Sequence, residues 1–174
     1  SIRNQLGISE DLIKLEPTVI GGMYPSHMED RVLLNWPQVP QILIDTILAI
    51  EDQDFFNHYG VSLKSISRAF LKNIQAGEVE QGGSTITQQL AKSLFFSSDQ
   101  TIRRKIMEAI ASLRIEFHYS KEEILLAYIN DVFLAQSGKR AVHGFGMGAQ
   151  HFFGTSISNL TTDQIALLVG MLKG

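Results

Sequence analysis

From Gln41 onward, apolar positions recur at helical spacing. Ile42, Leu43, Ile47 and Ile50 predict a helix that runs up to Glu51. Ser62 is placed to N-cap a helix burying Leu63, Ile66, Phe70 and Ile74, with Gly77 as its stop. Gly82-Gly83-Ser84-Thr85 opens another, carrying Ile86, Leu90 and Leu94. Ile102, Ile106, Ile110, Leu113 and Phe117 form the clearest stripe in the chain and predict a long amphipathic helix. Ser120-x-x-Glu123 is a capping box ahead of Ile124, Leu125, Tyr128 and Val132, and Thr161-x-x-Gln164 is a second one that opens the last helix, through Leu172. Gly144, Gly146 and Gly148 fall at every second position; that argues against a helix there and predicts a loop entering Ala149–Phe153.

The first 40 residues read differently. They hold all four prolines, Pro17, Pro25, Pro37 and Pro40. Thr18–Met23 and Arg31–Leu34 read as two short strands joined by a loop. Residues 1–36 are thus a small β-containing lead-in, and residues 37–174 a single mainly α body.

Composition narrows the function classes. The 174 residues contain no cysteine, so disulfides and cysteine chemistry are excluded. No apolar run approaches the ~18 residues of a membrane span. The net charge of −3 conceals an asymmetry: residues 64–105 carry seven Lys and Arg against three Asp and Glu. A basic middle third in an acidic chain suits a local anionic partner rather than nucleic acid, although on charge alone a solvated helix face is the favoured reading.

Four segments could carry chemistry. Glu51-Asp52-Gln53-Asp54-Phe55-Phe56-Asn57-His58-Tyr59-Gly60 sets three carboxylates and a histidine at the end of an apolar helix, where a Glu can serve as an acid or base. Taken alone, it also reads as an acidic helix end with a satisfied histidine. Glu51, Asp54 and His58 match no standard metal-ligand spacing. Gly82 to Lys92 places glycines, Ser84, Thr85, Gln88, Gln89 and Lys92 around a helix start, which suits phosphate, although the Gly-Lys-Ser/Thr step of a Walker loop is missing; the segment reads equally as a flexible loop and an ordinary N-cap. Arg104 and Glu108, four apart, read alone as a surface pair worth ~0.2–0.5 kcal/mol; with Lys92 and Lys105 they would form a cationic pocket for pyrophosphate. In Lys121-x-x-Ile124-Leu125-x-x-Tyr128-x-Asn130 the apolar positions read as core, and Tyr128 and Asn130 as organisers of a helix end.

In this order the four segments resemble the peptidoglycan glycosyltransferase domain of class A penicillin-binding proteins, glycosyltransferase family 51. The motifs stand at Glu51-Asp52, Phe55, His58 and Gly60; at Gly82–Gln89; at Arg104, Lys105 and Glu108; and at Lys121–Asn130. Gln136–Gly138 is similar to a stretch of the bifunctional Gram-negative members. The resemblance implies a lysozyme-like fold with a head lobe and a small jaw, and polymerisation of lipid II into β-1,4 glycan strands with inversion and release of undecaprenyl pyrophosphate.

The resemblance further implies Glu51 as general base and Glu108 as the second essential glutamate. Ser84, Thr85, Gln89, Lys92, Arg104, Lys105 and Lys173 would line the donor and phosphoglycolipid-inhibitor (moenomycin-type) site, with Asp52, Phe55 and His58 in support. It implies no required cofactor, leaves room for a divalent cation, and places the chain at the periplasmic face of the bacterial inner membrane, with an anchor helix and a transpeptidase domain outside it. Phe70, Leu71 and Ile74, beside Arg68 and Lys72, read equally as a jaw that dips into an anionic bilayer and as core packing. Ser93 stands where relatives often have Asn. A lytic enzyme on the same fold and a catalytically silent binding module are the competing readings; the cationic cluster favours the polymerase over the first, and the two glutamates favour it over the second.

Overall fold

The computed structural model describes residues 29–62, 64, 83–96, 101–138 and 140–172. The strand expected at Thr18–Met23, the helix expected from Ser62 with its jaw residues Phe70, Leu71 and Ile74, and Lys173 lie outside these. Six α-helices are described: α1 (Gln41–Glu51), α2 (Ile86–Phe95), α3 (Ile102–His118), α4 (Lys121–Asp131), α5 (Phe145–Phe153) and α6 (Thr162–Gly170). Three short strands accompany them: β1 (Glu29–Asp30), β2 (Phe133–Ser137) and β3 (Arg140–His143). The described chain is mainly helical.

The strands form one sheet in the order β1-β3-β2, with β1 parallel and β2 antiparallel to β3. The lead-in strand is therefore Glu29–Asp30, and Arg31–Leu34 is not a strand. Those residues instead bond to the end of α4. Asn130 accepts from Leu34 N–H and donates to Leu34 C=O, while Arg31 donates to Asp131. Side chains from α4 thus take over the pairing that a further strand would supply.

Helices α1, α2, α4 and α6 follow the expected spacing. Leu43 and Ile47 of α1, Ile86 and Leu90 of α2, Ile124, Leu125 and Ile129 of α4, and Leu168 of α6 are buried together in one core. Both capping boxes form, at Ser120/Glu123 and Thr161/Gln164.

Two expectations are corrected. The loop expected at Gly144–Gly148 is helix α5. Gly144 caps it at φ +74, and a Cβ on Gly146 would lie 2.3 Å from Val32 O, one on Gly148 2.4 Å from Leu134 Cδ1. These two glycines permit close packing, which outweighs their low helix propensity of about 1 kcal/mol each. The second correction concerns α3. Its regular apolar stripe faces outward, with Ile102 at 83% and Phe117 at 85% exposed and Ile106, Ile110 and Leu113 exposed between them. Its inner face is polar: Glu108 and Ser112 are buried and Arg104 nearly so.

Candidate active site

Helix α1 ends where the site begins. Glu51 is its last residue and Asp52 its C-cap. Asp52 is buried, and its Oδ2 accepts from His58 Nε2 (2.9 Å) and from the backbone N–H of Ile86 (3.1 Å). His58 Nδ1 in turn accepts from Gly60 N–H (3.1 Å), which assigns the ring proton to Nε2. Asp52 therefore ties the end of α1 to the first turn of α2 and to the loop that follows α1.

That loop is held from the other side by α4. Lys121 Nζ donates to His58 C=O (2.6 Å) and to Glu116 Oε1 (2.7 Å), and sits 4.4 Å from the centroid of buried Phe55. Glu116 also accepts from Thr87 of α2 (2.6 Å). Asp52, Phe55 and His58 are thus built into a scaffold. The same bonds separate the carboxylates considered for a metal: His58 turns to Asp52, and Asp54 pairs with Lys64 (2.9 Å). Among the described residues no three His, Cys, Asp or Glu gather as a ligand set.

Two carboxylates remain. Glu51 is half-buried, and its Oε2 accepts from Gln89 Nε2 (2.8 Å). Glu108 is 1% exposed; Arg104 Nε lies 2.8 Å from its Oε1 and Lys105 Nζ 3.1 Å from its Oε2. The surface pair expected from the spacing of Arg104 and Glu108 is therefore a buried ion cluster. Lys105 reaches on to Ser84 Oγ at 2.6 Å. Ser84 lies just ahead of the N-cap of α2 and Gln89 in its first turn, so both glutamates are attached to the same short stretch of chain.

The remaining expected residues divide. Lys92, on α2, is exposed and has no side-chain partner among the described residues. Thr85, at 1% exposure, is the N-cap of α2, its hydroxyl donating to Gly60 C=O (2.6 Å) and accepting from Gln88 N–H (3.1 Å). That hydroxyl builds the helix start and does not reach the surface. Ser93 donates to Asp131, which links α2 to α4.

The sequence reading placed Tyr128 only as an organiser of a helix end; its hydroxyl donates to Gln89 Oε1 (3.2 Å), and the partners of Lys121 and Glu116 were not anticipated. The local signals were the Lys121–Asn130 motif and, for Glu116, the polar residues at four-residue spacing along α3, Arg104, Glu108, Ser112 and Glu116, opposite an apolar stripe.

The site thus holds a half-buried carboxylate bonded on one oxygen to an amide and, linked to the same stretch of chain, a buried carboxylate paired with two cations. A sequence profile of the family described as "Transglycosylase" matches residues 17–174. The chain is 49% identical to penicillin-binding protein 1B of Vibrio cholerae over 93% of its own length and 21% of that protein's. It is 44% identical to penicillin-binding protein 1B of Haemophilus influenzae over 98% of the chain and 23% of the relative. Penicillin-binding protein 1B of Escherichia coli K12 is also 44% identical, over 92% of the chain and 19% of the relative. The chain spans about a fifth of the length of these relatives.

Proposed function

This chain belongs to the transglycosylase family, and on that premise we propose that it is a peptidoglycan glycosyltransferase that polymerises lipid II into β-1,4-linked glycan strands. The observation that carries the assignment of roles is the contrast between its two glutamates. Glu51 is half-buried, and a neutral amide donates to one of its oxygens. Glu108 is buried, with its charge already taken up by Arg104 and Lys105. Two carboxylates in unlike environments divide into unlike roles.

Glu51 is the general base. It takes the proton from the 4-hydroxyl of the acceptor's GlcNAc as that oxygen attacks the anomeric carbon of the donor. The bond from that carbon to the pyrophosphate breaks, the configuration inverts, and undecaprenyl pyrophosphate leaves with the electron pair. Negative charge develops on the leaving oxygen and calls for fixed cations. Lys105 and Arg104, held by Glu108, supply them; exposed Lys92 adds a point charge, Ser84 adds a hydroxyl, and Gln89 is the donor on the base side. The resemblance adds Lys173, which lies outside the described residues, to the same proposed donor site. Thr85, Asp52, Phe55 and His58 hold these groups in place. The same cations suit the phosphate of a moenomycin-type phosphoglycolipid.

The substrate's lipid tail places the reaction at a membrane, and the outward stripe of α3 supports this. A 17-residue helix is about 25 Å long. Its exposed Ile102, Ile106, Ile110, Leu113 and Phe117 run beside exposed Arg103 and Arg114, a pattern suited to an anionic bilayer surface. No helix among the described residues is long and apolar enough to cross a membrane. The reading puts the chain on the periplasmic face of the inner membrane, as part of a longer protein that carries the anchor and a transpeptidase domain.

Incubation with lipid II in detergent tests the reaction class. The chain is expected to give glycan polymer and to leave preformed soluble glycan intact. Breakdown of preformed glycan without polymer formation would instead support the lytic reading.

A further inference from the structure

Tyr128 stands on α4, 2% exposed, behind the residues given roles in the reaction. Its hydroxyl donates to Gln89 Oε1 (3.2 Å), and Gln89 Nε2 donates to Glu51 Oε2 (2.8 Å). The three side chains come from α4, α2 and α1 and form one line of hydrogen bonds. A side-chain amide can rotate end for end, and only one orientation offers N–H to a carboxylate. The reverse orientation would set the Gln89 carbonyl against the Glu51 carboxylate, acceptor against acceptor. The Glu51 carboxylate, which can only accept, sets the first orientation, and the Tyr128 hydroxyl, donating to the Gln89 carbonyl, adds a second bond that holds the amide in it. Burial, and secondarily the charge of Glu51, push the Tyr128 phenol far above its ordinary value of 10.0, so it keeps its proton wherever the protein is folded.

We propose that Tyr128 is a positioning residue for Glu51, acting through Gln89: it holds the Gln89 amide so that Glu51 Oε2 is occupied and Oε1 is left to receive the acceptor's proton. The inference rests on the reading of Glu51 as base. It extends that reading to a residue whose ring is part of the core and whose hydroxyl is not needed for packing.

Tyr128→Phe removes the hydroxyl and keeps the ring. Two measurements on the full chain separate the possibilities. The first is solvent exchange of the Gln89 side-chain amide protons by ¹⁵N NMR, assigned with Gln89→Ala. Exchange is expected to be about tenfold faster in Y128F, since one of two restraining bonds is gone; an unchanged rate would overturn the proposal.

The second is lipid II turnover in a double-mutant cycle. Y128F is expected to lower kcat about tenfold with KM changed less than about twofold, and to cost under about twofold more in a Q89A background. A loss as large in Q89A as in the wild-type background would show that Tyr128 does not act through Gln89, and wild-type kcat in Y128F would overturn the proposal directly. If the wild-type chain made no polymer, the glycosyltransferase reading would fail, and the amide-exchange measurement would still decide whether Tyr128 positions Gln89.

Discussion

At Glu108, a buried carboxylate and two basic side chains form a group in which each member depends on the others. Removing one charge leaves the rest uncompensated, and breaking a buried pair in this way typically costs about 3–5 kcal/mol. Glu108→Gln is therefore expected to lower unfolding free energy by about 3 kcal/mol in urea titrations, besides losing activity; Lys105 is half exposed, which keeps the figure at the lower end. A variant as stable as the wild type would mean that the cluster is not held by charge. Much of the site was legible at this scale. Glu51, Asp52, His58, Ser84 and Lys105 sit in motifs whose local spacing places them, and the structure joins them by short bonds. Tyr128 and Lys121 stood in a motif, but their partners were not legible, because their polar bonds run to residues 39 and 63 positions away. Nothing in the local sequence of α4 marks the far ends of those bonds. Thr85 was left with two readings because a hydroxyl at a helix start can either face a ligand or cap the helix, and only burial separates the two.

Among the elements, α3 shows what periodicity conveys and what it leaves out. The stripe from Ile102 to Phe117 identifies the helix and its length, but the usual rule puts that stripe inside. Here Arg104, Glu108, Ser112 and Glu116 lie on the inward side, each with partners: the ion cluster, the carbonyl of Ala109, and Thr87 with Lys121. A polar face can be buried when its groups are bonded, and its four-residue spacing in the sequence was the trace of that. Helix α5 fails the opposite way, since its glycines are poor helix formers in isolation and are required by the closeness of Val32 and Leu134. Caps were read directly. At the start of α4, the Ser120 backbone N–H, and then its hydroxyl, hold the Glu123 carboxyl below its ordinary value of 4.5. A lowered folded value means stabilisation that is present above pH 4.5 and lost as pH falls through the folded value. Glu123→Gln is thus expected to melt below the wild type at neutral pH, with the gap closing in acid; a gap that stays constant from neutral to acid would contradict the charge contribution.

For the whole molecule, the question is how the site would meet the lipid-linked substrate proposed for it. The exposed stripe of α3 and the cations of its inner face belong to one helix, so a bilayer against the first would lie within a helix diameter of the second. Ile106→Asp with Leu113→Asp changes only exposed positions. The double variant is expected to keep its thermal midpoint within about 2 °C and to lose at least about tenfold in binding to anionic vesicles, since half-exposed residues of this size each contribute on the order of 1 kcal/mol when buried in lipid. Unchanged vesicle binding would place the membrane elsewhere on the protein. Catalysis itself turns on Glu51 removing the acceptor's proton. General-base groups typically contribute ~10²–10⁴-fold. The most direct test compares lipid II polymerisation by the wild type and Glu51→Gln in detergent, with binding of a moenomycin-type phosphoglycolipid measured in parallel. The account predicts polymer from the wild type, a loss of at least about 10²-fold in the variant, and inhibitor binding retained by both. A Glu51→Gln variant that binds the inhibitor and polymerises at the wild-type rate would contradict it.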